Sequence, residues 1–376
     1  MPTAPYIIHI STPTSWRGGE QQTLYLIQEL AERGFRQTLI AAKHGELARR
    51  AASLCEVAAV PAGNAHLLRW AMNIARYSYA RRAQIIHAHD SHAHTFAVLA
   101  ATIFRSKVPV VVSRRVDVPI GKTKASLRKY NHPRVGAIIC VSDCVKGIVS
   151  DSVTRKSLLH TVHDGIRLER FSIGSTHALR RMLNCNDDVN IIGNVAALAG
   201  HKDHVTFLRV ASKLHAFDPS LVFVIVGEGQ ERGAIEHEIM RLGLEKVVHL
   251  LGHRTNIEEL LPDMNVFLFT SKTEGLGSSV LDAMACGVPV VATKAGGVPE
   301  LIAHGYNGLL AEVANADELA THVQSILSNM ELREAIVTNA TEAVKNFTTS
   351  VMASKTIAVY NSVLRKQGSE ILQPLL

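Results

Sequence analysis

Aromatic residues are scarce: Phe, Trp and Tyr make up 5% of the 376 residues. That argues against the base-stacking platforms on which single-stranded nucleic-acid binders rely. No apolar run approaches the ~20 residues of a membrane span. The opening Met1-Pro2-Thr3-Ala4-Pro5 lacks the charged start and apolar core of a secretion signal. Charged residues are few, 19% against 47% hydrophobic, which indicates a buried globular chain and excludes a disordered one. The five cysteines, Cys55, Cys140, Cys144, Cys185 and Cys286, are odd in number and scattered through mostly apolar segments. Cys140 and Cys144 resemble a metal half-site only loosely and have no second pair, so the set reads as free thiols in a cytosolic protein. There is no Asp-x-Asp metal motif, no internal repeat and no low-complexity tract.

What is present begins with size and charge. A chain of 376 residues exceeds what one core comfortably fills, so two domains are expected. Residues 1–170 hold 24 Lys and Arg against 11 Asp and Glu, whereas residues 171–376 hold 16 against 22. A basic first half suits an anionic partner, either a membrane surface or a phosphorylated acceptor. Residues 64–83 read as a basic amphipathic helix carrying Arg69, Arg76, Arg81 and Arg82; it suits a membrane surface or, equally, a solvated face. Residues 121–134 read as a basic, loop-like segment, and residues 315–345 as helical.

The richest stretch is residues 266–300. Val266-Phe267-Leu268-Phe269-Thr270 reads as a buried strand and Glu274-Gly275-Leu276-Gly277-Ser278-Ser279 as a glycine turn. A helix to Cys286 follows, stopped by Gly287 with Pro289 just beyond, and then the strand Val288–Thr293. Strand, turn, helix, strand is a βαβ unit whose turn lies where open α/β sheets place ligands. A helix N-terminus seats phosphate, and the two glycines admit close approach of a diphosphate. Glu274 and Asp282, one on each side of those amides, suit a sugar and a ribose, which together describe a nucleotide-sugar. A second glycine turn, Trp16-Arg17-Gly18-Gly19, joins the strand Tyr6–Ile10 to a helix expected from Glu20. The strand Ile85–Asp90 brings four histidines within eight residues (His87, His89, His92 and His94). No fixed tetrahedral metal geometry follows from their spacing, and a polar wall meeting acceptor hydroxyls through His89 and Asp90 is the preferred expectation.

Two acids flanking a Gly-Leu-Gly turn, with the helix exit Ala283-Met284-Ala285-Cys286-Gly287-Val288-Pro289, resemble the family-4 (group 1) retaining glycosyltransferases of GT-B fold. That family has Glu at both acidic positions; Asp282 is one methylene shorter with the same charge. The resemblance implies an α/β chain of two Rossmann-like domains facing each other across a cleft. Residues 1–168 would bind acceptor, residues 169–350 would bind the nucleotide-sugar, and a final helix in 351–376 would return to the first domain. In such enzymes configuration is retained without a covalent enzyme nucleophile, and neither metal nor cofactor is needed.

Carried over position by position, Gly18 and Gly19 match a glycine loop that faces donor phosphates. Lys202 matches the Lys of a diphosphate clamp whose Arg partner is replaced by Ala197. Gly227-Glu228 and His253-Arg254 match the segments that read the base, Gly275, Leu276, Gly277 and Ser278 supply amides to the diphosphate, Glu274 orients the sugar, and Asp282 holds the ribose. Arg115 stands where the family has a His near the reacting sugar; it cannot act as a base but can hold a phosphate, and with Arg114 it joins His89 and Asp90 on the acceptor side. Glu274, Lys202 and Arg115 are thus the expected catalytic set. The expected reaction moves a sugar from a UDP-sugar, with GDP the alternative, to a saccharide or lipid-linked acceptor in cell-envelope polysaccharide or lipopolysaccharide synthesis. The expected setting is cytoplasmic, at or near the inner face of the membrane, with no nucleic-acid partner. The alternatives are an epimerase or phosphorylase of the same fold, or a non-catalytic nucleotide-sugar-binding subunit.

Overall fold

The computed structural model describes residues 6–172, 174–366 and 368. The chain divides into two compact units, Met1–Gly165 with Thr349–Leu376, and Ile166–Thr348.

In unit 1, seven strands alternate with helices. They are β1 (Tyr6–Ser11), α1 (Gly18–Glu32), β2 (Arg36–Ala42), α2 (Glu46–Ala51), β3 (Glu56–Val60), α3 (Leu67–Ala80) and β4 (Ile85–Ala88). Then come α4 (Ser91–Thr102), β5 (Val110–Arg114), α5 (Lys124–Tyr130), β6 (Val135–Cys140), α6 (Asp143–Ser150) and β7 (Leu159–Thr161). All pairings are parallel, in the order β3-β2-β1-β4-β5-β6-β7. The chain therefore builds outward from β1 in one direction and then, from β4, in the other. The switch between β1 and β4 opens a crevice at the carboxyl ends of those strands, where such sheets bind ligands.

Unit 2 repeats the scheme. Its elements are α7 (Ala178–Leu183), β8 (Ile191–Val195), α8 (His204–Phe217), β9 (Val222–Val226), α9 (Arg232–Leu242), β10 (Val248–Leu250), α10 (Ile257–Leu260) and β11 (Val266–Phe269). The remainder are α11 (Ser278–Ala285), β12 (Val290–Thr293), β13 (Leu309–Ala311), α12 (Ala316–Ser328) and α13 (Met330–Ala343). The order β10-β9-β8-β11-β12-β13, again parallel, places the switch between β8 and β11. Strands β9 and β11 are continuous Val, Ile, Leu and Phe with almost no exposure, as expected of parallel sheets covered on both faces. Among the described residues no helix is long and apolar enough to cross a membrane.

The chain leaves unit 2 beside its point of entry, Ile166 N–H donating to Phe347 C=O at 2.8 Å. The last helix, α14 (Thr349–Arg365), then packs in unit 1. Its Met352, Ile357, Tyr360 and Val363 join the core with Ile7, Leu26 and Val111. Arg33 donates to Ser350 and Ser354, and Thr349 Oγ1 donates to Glu29.

Local expectations differ from the structure in four places. The segment expected as a loop over 121–134 contains α5, because Thr123 Oγ1 accepts from Ser126 N–H and caps a helix there. The single helix expected over 315–345 is broken at Asn329, which leaves helical angles and caps α13 through Leu332 N–H. Helix α1 starts at Gly18, two residues before Glu20, whose carboxylate reaches back to Arg17 N–H at 2.9 Å. Gly18 and Gly19 are therefore the first turn of a helix, where their N–H groups are unspent, and not a separate tight turn. The strand expected over Ile85–Asp90 ends at Ala88, and His92 and His94 fall on α4, since Asp90 accepts from His92 and Ala93 N–H and starts the helix at Ser91.

Candidate functional site

In unit 2 the expected residues converge where β8 and β11 end. The short turn Gly200–Lys202 after β8 is fastened to the end of β11 by Lys272 N–H to His201 C=O (2.8 Å) and by Thr270 Oγ1 to Lys202 and Asp203 C=O (3.3 and 3.1 Å). This clamp brings Lys202 Nζ into an ion pair with Glu274 Oε1, both side chains largely buried. Ser271 Oγ donates to the same carboxylate oxygen at 2.8 Å. Beyond Glu274, Gly277 adopts φ +95 and starts α11, and no described side chain caps the helix. Its N-terminal amides and the partial positive charge of the helix remain for an anion. The helix ends as the sequence indicated: Gly287 at φ +69 donates to Met284 C=O while Val288 donates to Ala283 C=O.

A second glycine turn fixes Glu274 from behind. Gly297 N–H donates to Glu274 C=O at 3.1 Å, and a Cβ at Gly296 would stand 1.9 Å from that oxygen. Gly227, at φ +156, likewise lies against Ala196 C=O, where a Cβ would stand 1.8 Å away, and its N–H donates to Gly252 C=O at 2.9 Å. Glu228 and His253 are thereby neighbours at the ends of β9 and β10. Glu228 pairs with Arg232, His253 is exposed, and Arg254 is exposed and returns its Nε to Leu251 C=O. Leu276 is buried, so it offers backbone only.

Asp282, expected to hold a ribose, lies on α11. It is half-buried on the side of α11 that faces Arg170 and Glu258, themselves paired at 2.7 Å. Burial pushes its carboxyl up to about 7, helped by the charge of Glu258 and opposed by Arg170.

In unit 1 the expected acceptor residues sit at the ends of β4 and β5 but each is already engaged. Asp90 caps α4 and accepts from Thr12 N–H and Oγ1 (2.7 and 2.8 Å), tying β1 to β4 at the switch point. Arg114 donates to Val118 C=O and lies near Tyr130 Oη. Arg115 Nε donates to Asp164 at 3.1 Å, and both side chains are mostly buried. Burial raises the Asp164 carboxyl and Arg115 opposes the rise. An arginine with a buried carboxylate partner is locally neutralised, so its pull on a phosphate is weaker than a free guanidinium would give. Its Nη1 has no partner among the described residues.

His9, His87 and His89 bring ring nitrogens within 4.8 Å of one another, all three buried. Five of their six ring nitrogens are committed to hydrogen bonds. His9 Nε2 meets Gln37 Oε1 (3.0 Å), His9 Nδ1 meets His89 Nε2 (2.9 Å), and His87 bridges Tyr360 Oη (2.7 Å) and Ser113 Oγ (2.8 Å). Gln37 spends its amide N–H on Ile27 C=O, so its oxygen faces His9 and the proton lies on His9 Nε2. Burial lowers His9 to about 4 and holds His87 and His89 well below the usual range, so all three are neutral near pH 7. His9 Nδ1 is then bare, His89 Nε2 carries the proton, and the His89 Nδ1 lone pair ends the chain without a described partner. His9 and His89 thus form one hydrogen-bonded chain and His87 a second, and among the described residues none of these bonds goes to a carboxylate.

Ser271, Gly296, Asp164 and the His9–Gln37 pair escaped sequence reasoning as site residues. The Gly296-Gly297 pair and the His87-x-His89 alternation were visible signals; for Ser271 and Gln37 nothing in the sequence stood out.

Residues 175–343 match the family described as glycosyl transferases group 1, and residues 16–170 match glycosyltransferase family 4. N-acetyl-alpha-D-glucosaminyl L-malate synthase of Bacillus anthracis is 26% identical over 308 residues, covering 79% of this chain and 80% of that protein. The N,N'-diacetylbacillosaminyl-diphospho-undecaprenol alpha-1,3-N-acetylgalactosaminyltransferase of Campylobacter jejuni is 28% identical over 205 residues, 54% of this chain and 53% of that one. Among solved structures, Anabaena HepE in complex with UDP and glucose superposes with a TM-score of 0.81 over 95% of this chain and 100% of that chain, at 22% identity.

Proposed function

We propose, from the premise that this chain belongs to the family-4 (group 1) glycosyltransferases of GT-B fold, that it transfers a sugar with retention from a UDP-sugar to a saccharide or lipid-linked acceptor in envelope polysaccharide synthesis. The observation that carries this reading is the Lys202–Glu274–Ser271 cluster beside the uncapped N-terminus of α11. Lys202 and the amides of Gly275–Ser278 receive the diphosphate and neutralise it as it leaves. Glu274, released from Lys202, accepts the sugar hydroxyls, and Asp282 accepts from the ribose. Gly227-Glu228 and His253-Arg254 border the base. In this reading the amides and Lys202 do the work of a metal, the acceptor attacks the face from which the diphosphate departs, and its proton passes to the leaving phosphate. In unit 1 the first-turn N–H groups of Gly18 and Gly19 suit phosphate oxygens, Arg115 suits an anionic group, and His89, Asp90 and Arg114 suit the acceptor.

The UDP assignment draws on the UDP in the Anabaena complex. The lipid-linked acceptor draws on the diphospho-undecaprenol of the Campylobacter relative. The reading extends to a cytoplasmic protein whose basic first unit contacts an anionic membrane.

A thermal-shift panel of UDP, GDP and ADP tests the donor site: UDP is expected to raise Tm most. Glu274→Gln is expected to lower donor turnover about a hundredfold or more with little change in Tm. Full turnover in that variant removes Glu274 from the mechanism. A silent panel removes the nucleotide-sugar reading itself.

A further inference from the structure

We infer that unit 1 docks on an anionic lipid bilayer through the outer line of α3 and the groove between the C-terminal ends of α3 and α4. This deepens the membrane part of the reading above and does not depend on the transfer reaction.

Leu68, Met72, Ala75 and Tyr79 follow one another at helical spacing along one side of α3, roughly a third of a turn from the buried Trp70, Ala71, Ile74 and Ser78 and next to the side that carries Arg69 and Arg76. Leu68 is 56% exposed, Met72 49% and Tyr79 89%. At the end of α4, Ile103 and Phe104 are also exposed. Tyr79 and Phe104 line a shared groove of about 820 Å³ with Arg82, Arg105 and Lys107. The apolar line from Leu68 to Tyr79 thus runs about 17 Å along the helix and continues into a cationic groove. Such length suits a flat partner better than a small ligand.

Charge names the partner. Residues 57–142 carry thirteen Lys and Arg and only two acids, Asp90 and Asp117. Asp90 is spent inside the sheet switch. Among the described residues, Arg69, Arg82, Arg105 and Lys107 have no ion-pair partner, whereas the neighbouring Arg81 pairs with Glu56. Cations flanking exposed apolar and aromatic side chains match the headgroup and acyl boundary of an anionic leaflet.

The backbone adds a separate observation. Arg82 and Arg105, which follow the ends of α3 and α4, both adopt left-handed angles, φ 49 and φ 55. Arg82 occupies the position at which helices favour glycine: its N–H donates to Tyr79 C=O while Ala83 N–H donates to Ser78 C=O. An arginine there is less favourable than glycine for the fold. Both arginines are exposed and line one groove.

This strain supplies the test. Full-length protein is sedimented with vesicles of equal parts phosphatidylglycerol and phosphatidylcholine, and with pure phosphatidylcholine, at about 0.15 M salt. Wild-type protein is expected to bind the anionic vesicles only, and to be released by high salt. Arg82→Gly with Arg105→Gly is expected to lower the partition by about fivefold per charge, with Tm equal or higher and the UDP-induced Tm shift unchanged. Leu68→Ser, Met72→Ser and Tyr79→Ser together are expected to weaken binding further while leaving the UDP shift intact. Equal binding to neutral vesicles, or unchanged partition of both variants, overturns the inference. So does light scattering that shows a wild-type dimer dissociated by the same substitutions, which assigns the face to a second copy. Loss of the UDP shift in wild-type protein with vesicle binding intact would sink the functional reading and leave this inference standing.

Discussion

Unit 1 holds four histidines neutral by burial, His9, His87, His89 and His94, and pairs its buried Asp164 carboxyl with Arg115, whereas unit 2 sets the half-buried carboxyl of Asp282 beside a second one, Glu258. The two sheets share one topology, so the contrast comes from side chains alone. In unit 1 the polar interior is a set of hydrogen-bonded imidazoles that ties β1, β2, β4 and α14 together. In unit 2 the polar groups gather at the strand ends, where Lys202 and Ser271 both meet the Glu274 carboxylate. One set of polar groups lies inside the sheet; the other lies at its edge, beside the start of α11.

Their pH responses run in opposite directions. His9 titrates near 4 in the folded protein against about 6.5 unfolded. Below 6.5 the unfolded chain takes up a proton that the native state refuses. The stability is therefore full above 6.5 and is lost as pH falls through the window to 4, about 3 kcal/mol for this group alone. Asp282 titrates near 7 folded and about 3.9 unfolded. Its penalty is absent below 4 and grows as pH rises to 7, so unit 2 is strained on the alkaline side.

The contrast is broken hardest at Gly296. Gly296→Ala drives a Cβ into Glu274 C=O and strains the backbone at φ +52. We expect it to cost unit 2 about 4 kcal/mol or more and to abolish the UDP-induced shift, with unit 1 melting as before in differential scanning calorimetry. Asp282→Asn sharpens the pH contrast: at pH 8 it should stabilise unit 2 by about 2–3 kcal/mol after allowance for partial exposure, with no gain at pH 4. Denaturant melts at both pH values check the sign. The smallest effect is expected at His94, buried with both ring nitrogens unpartnered among the described residues and lowered to about 3 chiefly by burial. His94→Leu should raise stability by about 2 kcal/mol at pH 5 and by less at pH 7.5, measured by the same melts.

Much of this was legible in the sequence, for identifiable reasons. Strands such as Val266–Phe269 and Val222–Val226 are continuous apolar runs, which only a doubly covered sheet demands, and Gly287 before Pro289 marks a helix end. The Glu274 turn was legible because its glycines have backbone roles that no other residue fills. What stayed hidden depends on side chains meeting across the fold. That Asp282 faces Arg170 and Glu258, far apart in sequence, is invisible in the spacing of α11, and so is the pairing of Arg115 with Asp164. The break at Asn329 was missed because an apolar period continues through it while the cap resets the backbone.

The central claim is that Lys202 and the start of α11 seat a nucleoside diphosphate. Isothermal titration of UDP into wild-type protein and Lys202→Met tests it most directly. Saturable binding to wild-type protein, weakened at least about tenfold in the variant, is the predicted result. Equal affinity in the two proteins would contradict it.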